Sequence, residues 1–120
     1  MITRITIESG DKFTITRDSI RYEEPATGHR WTVTSSTASF EKMFGNLVEE
    51  VENLTTLAGR WDGGEKTVFT LTEDNGKKSK YILNQPEEEY TVCFTIIDQM
   101  VRRADPKKSE RRKGSIHSVR

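Results

Sequence analysis

The chain has 120 residues, 32% of them aliphatic, aromatic or cysteine, and its 19 Lys/Arg balance 19 Asp/Glu. That length accommodates one domain and buries roughly two-thirds of the unfolded surface, enough for a single core and too little for two. One cysteine, Cys93, excludes an intramolecular disulfide framework, and with only His29 and His117 beside it there is no zinc-ligand set, so neither a metal nor a cofactor is expected.

In chain order, the first third reads as strands, because apolar residues spaced by two recur between turn signals. The pairs are Ile5/Ile7, Phe13/Ile15, Ile20/Tyr22 and Trp31/Val33, broken at "SGD", "RDS" and "EPATGH". Thr6, Thr14, Arg21 and Thr32 fall between them, so the opposite face is threonine-rich and charged, as in an antiparallel sheet wet on one side. Trp31 keeps the alternation and is expected to point into the core.

The period then changes. Phe40, Phe44, Leu47, Val48, Val51, Leu54 and Leu57 recur at three and four while Glu41, Glu49, Glu50 and Glu52 take the other sides, which predicts an amphipathic helix over 40–57. Ser36, Thr37 and Ser39 offer caps at its start and Gly59 a stop. Two strands follow, at about 66–73 and 78–84, joined through "EDNGKK", where Asn75-Gly76 favours a tight turn with positive φ at both residues. A second helix is expected from Pro86, with Glu87 to Glu89 at its positive end. Its stripe is Tyr90, Cys93, Phe94, Ile97, Met100 and Val101.

The expected architecture is α+β, a two-layer sandwich in the order ββββαββα: an antiparallel sheet of about six strands with two helices on one face, plus a basic C-terminal tail. Residues 1–104 form the single domain and 105–120 the tail. Charge divides along the same line: Met1 to Val101 carries 11 Lys/Arg against 17 Asp/Glu, net −6, and Arg102 to Arg120 carries 8 against 2, net +6. Such asymmetry directs the tail to an anionic surface, on a nucleic acid or an acidic protein. No apolar run approaches the roughly 18 residues that span a bilayer, and "MITRITIESG" alternates like a strand, so a cytoplasmic protein without a membrane partner is expected.

Chemistry is sparse. "GRWDGGEK" lacks the spacing and the Lys-Ser/Thr ending of a phosphate-binding loop, and there is no Gly-x-Ser-x-Gly elbow. Cys93 sits on the apolar stripe of the second helix, where it reads as a small core residue. Asp62 and Glu65 read as solvated turn charges, and Asn53-Leu54-Thr55 falls inside a helix, so neither acid-base catalysis nor glycosylation is expected. The chain is read as no enzyme.

Two candidate contact sets remain. Arg60, Trp61 and Asp62 belong to no stripe and could present an aromatic to a partner or cap the open edge of the core. Arg102, Arg103, Lys107, Lys108, Arg111, Arg112 and Lys113 could neutralise phosphates without an interleaved aromatic, so any nucleic-acid binding there would be independent of sequence. Arg102 and Arg103 close the second helix. Asp105-Pro106 and Gly114 bracket a possible short helix over 106–113, whose like-charge pairs Lys107/Arg111 and Lys108/Arg112 repel until an anionic surface screens them.

The stretch "ITIESGDKFTITRDSIRYE", followed by "RWTVTSS" and "FEKMFGNLVEEV", resembles small accessory proteins of bacterial prophages and other mobile elements over roughly residues 1–55. That class includes anti-CRISPR inhibitors of host defence nucleases. The resemblance implies a non-enzymatic binding module that engages, and inhibits, a protein or nucleoprotein target. The alternative is direct, sequence-independent nucleic-acid binding through the tail.

Overall fold

A computed structural model describes residues 1–56, 66–84 and 87–105. Its elements are β1 (Ile2–Glu8), β2 (Lys12–Thr16), β3 (Ser19–Glu24), β4 (His29–Thr34), α1 (Ala38–Thr55), β5 (Lys66–Glu73), β6 (Lys78–Asn84) and α2 (Glu87–Ala104), the order ββββαββα. All six strands join one antiparallel sheet in the order β4-β3-β2-β1-β5-β6. The first four make a meander whose β1 turns inward, and β5 docks on the free side of β1 after the chain has passed through α1.

Register explains the core. Ile5 opposes Ile15 on one side and Leu71 on the other, and Ile7 likewise opposes Phe13 and Phe69. Ile15 and Phe13 continue to Ile20 and Tyr22, and these to Val33 and Trp31. Because side chains alternate along a strand, this pairing sends every apolar pair read from the sequence to the same face. Phe40, Phe44, Leu47, Val51 and Leu54 of α1 and Tyr90, Cys93, Phe94, Ile97, Met100 and Val101 of α2 close over that face in one continuous core. Trp31 is half-buried against it, stacked on Tyr22 at 5.4 Å between ring centroids.

Aromatic rings form a chain through the core. Tyr22 meets Phe13 at 4.9 Å, Phe13 meets Phe94 of α2 edge-on at 5.5 Å, and Phe94 meets Tyr90 at 4.8 Å. Tyr90 in turn meets Phe69 of β5 at 6.4 Å, so α2 ties both halves of the sheet together. Tilted and edge-on contacts set the negative ring face against the positive ring edge, which adds about 0.5–1.5 kcal/mol per pair to area burial. The hydroxyl of Tyr90 lies 3.4 Å from both Ser9 Oγ and Thr67 Oγ1, giving the buried Thr67 a polar partner.

Two local expectations change. The helix read over 40–57 begins at Ala38 and ends at Thr55; the hydroxyls of Thr55 and Thr56 donate to the carbonyls of Glu52 and Asn53 at 2.6 and 2.7 Å and satisfy them at the helix end. Gly59, Leu57 and Pro86 lie outside the described residues. In the β5–β6 hairpin only Gly76 has positive φ, 87°, and Asn75 does not, contrary to expectation. Gly76 N donates to Glu73 O at 2.9 Å and Glu73 N to Lys77 O at 2.8 Å, so the loop closes over three residues, Asp74, Asn75 and Gly76. Asn75 contributes its side chain instead: Oδ1 accepts from Lys77 N at 2.9 Å.

Of the three caps offered at the start of α1, Thr37 serves. Its Oγ1 accepts from Phe40 N at 3.2 Å, with the Thr37 backbone extended at φ −82°, ψ 149°. Thr37→Ala is expected to cost about 1 kcal/mol in denaturant unfolding, and Ser36→Ala or Ser39→Ala to stay within about 0.5 kcal/mol. Equal losses for all three would mean that the cap is shared.

Candidate binding surfaces

The face of the sheet away from the helices is assembled from the residues between the apolar pairs. One cross-strand row runs Thr32, Arg21, Thr14, Thr6, Thr70, Lys80, from β4 to β6. The neighbouring row runs Thr34, Ser19, Thr16, Arg4, Thr72, Lys78. Together the two rows hold four cations, eight hydroxyls and no carboxylate. A third row, Arg30, Glu23, Lys12, Glu8, Val68, Ile82, alternates in sign before ending in two apolar side chains, of which Ile82 is 43% exposed. With Lys66 the whole face carries seven cations against two carboxylates, net +5, within a stretch of sequence whose net charge is −6.

Some of these groups are already engaged. Thr16 Oγ1 lies 2.8 Å from Asp18 Oδ1 and 2.7 Å from Ser19 Oγ, and Arg21 Nε lies 3.4 Å from Glu23 Oε1. That ion pair is exposed and contributes on the order of 0–1 kcal/mol, so Glu23 tempers Arg21 without sequestering it. Arg4, Lys78 and Lys80 are exposed.

The missing negative charge lies on the helical side. α1 holds Glu41, Glu49, Glu50 and Glu52 against Lys42 alone. Two adjoining grooves open where α1 meets the ends of β1 and β5. One, about 680 Å³, is lined by Phe44, Gly45 and Val48 together with Glu41, Asp18, Asp74 and one side-chain cation, Arg17; the other, about 450 Å³, by Leu71, Val48 and Tyr81 with Glu52 and Glu73. The N-terminal ammonium reaches Asp74 Oδ1 at 3.6 Å within this region.

A polar cluster closes the other end of the sheet. The Tyr22 hydroxyl donates toward Asp11 Oδ2 at 3.1 Å and Glu24 Oε2 at 3.3 Å, and Thr27 Oγ1 donates to Glu24 Oε1 at 2.7 Å. Burial, then the charges of Asp11 and Glu24, hold this phenol well above its ordinary range and keep it protonated. His29 is exposed and meets Tyr22 edge-on at 6.1 Å. Cys93 is fully buried, and burial followed by the charge of Glu50 pushes its thiol up to about 12. A thiol in that state is no nucleophile at neutral pH. Among the described residues no three His, Cys, Asp or Glu are grouped to hold a metal ion, and no helix is long and apolar enough to cross a membrane.

Of the residues singled out from the sequence, Arg102 and Arg103 are exposed in the last turn of α2, where they face the negative end of the helix dipole. Arg60, Trp61 and Asp62, with Glu65, lie outside the described residues, as do Lys107, Lys108, Arg111, Arg112 and Lys113. The two cation rows are absent from both candidate sets. Their signal was the alternation that marked Thr6, Thr14, Arg21 and Thr32, on which Arg4 also falls, two residues before Thr6; joining these to Lys78 and Lys80 requires the β1–β5 pairing, for which the sequence holds no local sign. Comparison with protein-family models, with curated proteins and with solved structures finds no match.

Proposed function

We propose that the protein is a small non-enzymatic binding module for a nucleoprotein target, in keeping with the resemblance of residues 1–55 to mobile-element accessory proteins, some of which inhibit defence nucleases. The supporting observation is the division of charge between the two layers: carboxylates on α1 and around its grooves, cations on the open sheet face. A nucleoprotein presents both complements, basic protein surface where nucleic acid is held and phosphate where it is not. The α1 side is the one suited to a basic protein channel, since Glu41, Glu49 and Glu52 are exposed along three turns of one rigid helix.

Affinity capture from a bacterial lysate, with and without nuclease, tests this reading. The expected result is a captured nucleoprotein whose protein component survives nuclease and is lost with a Glu41→Gln/Glu49→Gln/Glu52→Gln variant. Capture indifferent to both treatments would reject it.

A further inference from the structure

We infer that the two carboxylate-free rows of the open sheet face form a docking surface for the phosphate backbone of a nucleic-acid duplex. The inference rests on the reading of the protein as a binding module and gives one of its two faces a partner.

Three features select that partner. The first is chemistry. Arg4, Arg21, Lys78 and Lys80 stand among threonine and serine hydroxyls, the side chains that dominate hydrogen bonding to phosphate oxygens. Thr6, Thr14, Thr70 and Thr72 lie half-buried between the charges, and among the described residues their side-chain hydroxyls donate to no carboxylate. The second is spacing. Arg21 and Lys80 are four strand positions apart, about 19 Å, and Arg4 and Lys78 two apart, about 10 Å, on a scaffold that fixes them before binding. Such a field meets several phosphates at once on a surface as broad as a duplex, whose charge is spread over both strands at roughly one per 1.7 Å of axis.

The third feature is what the rows lack. Trp31, Tyr22, Phe13, Phe69 and Tyr81 all alternate to the core side, so among the described residues these rows offer no ring on which unpaired bases could stack. A single strand would leave its bases without a partner here, whereas a duplex keeps them stacked inside and presents phosphate. A lipid surface is disfavoured by the same composition, since neither row has a large apolar side chain to insert. Binding through this face is therefore independent of sequence and governed by salt.

The test titrates the purified full chain against a short labelled duplex of arbitrary sequence. Four phosphate contacts predict a log-log salt slope of about −3.6, so affinity falls about 150-fold between about 50 and 200 mM salt. An Arg4→Gln/Arg21→Gln/Lys78→Gln/Lys80→Gln variant is expected to lose tenfold or more at the lower salt. The singles Arg21→Gln and Lys80→Gln, which perturb the fold least, should each flatten the slope by about 0.9. A full-length variant with Lys107, Lys108, Arg111, Arg112 and Lys113 all changed to Gln should keep a slope of about −3 or steeper.

The inference is overturned if the duplex does not bind at the lower salt, if the quadruple variant and the singles bind as wild type, or if the tail variant alone abolishes binding. Tighter binding to the separated single strand, or to vesicles of anionic lipid, overturns it as well. Because the duplex is supplied pure, the result does not depend on whether a nucleoprotein is captured from lysate, and failure of one reading is visible apart from failure of the other.

Discussion

Phe13→Ala is expected to cost about 3–5 kcal/mol, much of the 5–15 kcal/mol that holds a domain of this kind together. Phe13 is 1% exposed and stands where the aromatic chain crosses from the sheet to α2, with Tyr22 at 4.9 Å on one side and Phe94 at 5.5 Å on the other. Truncation removes the transfer energy of the ring and both ring contacts, and it leaves a cavity walled by side chains that β1 and β3 hold in register. Phe13→Leu, which keeps most of the volume, should cost less than half as much. Denaturant midpoints for the two variants check this, and similar losses for both would show that ring geometry outweighs volume.

Stability is expected to fall on the alkaline side, through Cys93. Its folded-state pKa is raised from 9.0 to about 12, so the native state holds a proton that the unfolded chain releases across that interval. The stabilisation is fully present below pH 9 and is lost as pH rises toward 12; three pKa units correspond to about 4 kcal/mol at the upper end. The Tyr22 phenol acts in the same direction, but only from the ordinary tyrosine value of 10.0 upward. Unfolding free energy should therefore begin to decline near pH 9 in the wild type and nearer 10 in Cys93→Ala, the interval between the two onsets belonging to the thiol. Coincident onsets would mean that Cys93 is not protected in the native state.

Particular residues show what could be read before the fold was known. Ile5/Ile7, Phe13/Ile15 and Ile20/Tyr22 announced strands because alternation is a local property, and Phe40 to Leu54 announced a helix for the same reason. Asn75-Gly76 located the hairpin yet misled on its turn, since an asparagine can supply either an αL backbone or a side-chain acceptor and the sequence does not say which. The second partner of β1 was beyond reach: β2 follows it across a short turn, but Arg4 also opposes Thr72, 68 residues on, and nothing near either residue encodes the other. The charge of the open sheet face was hidden in consequence. Along the chain residues 1–101 are net acidic, whereas pairing β5 and β6 onto β1 brings their lysines onto the same face as Arg4 and Arg21 and makes that face net positive.

Among the described residues β6 ends the sheet, and no described strand pairs with the backbone groups on its outer side. Lys78 and Lys80 stand on that strand two residues apart and exposed, and a second copy of the edge laid against it would bring like charges together. The same two ammonium groups that face phosphate thus also guard against edge-to-edge aggregation, so selection acting on either property constrains the other.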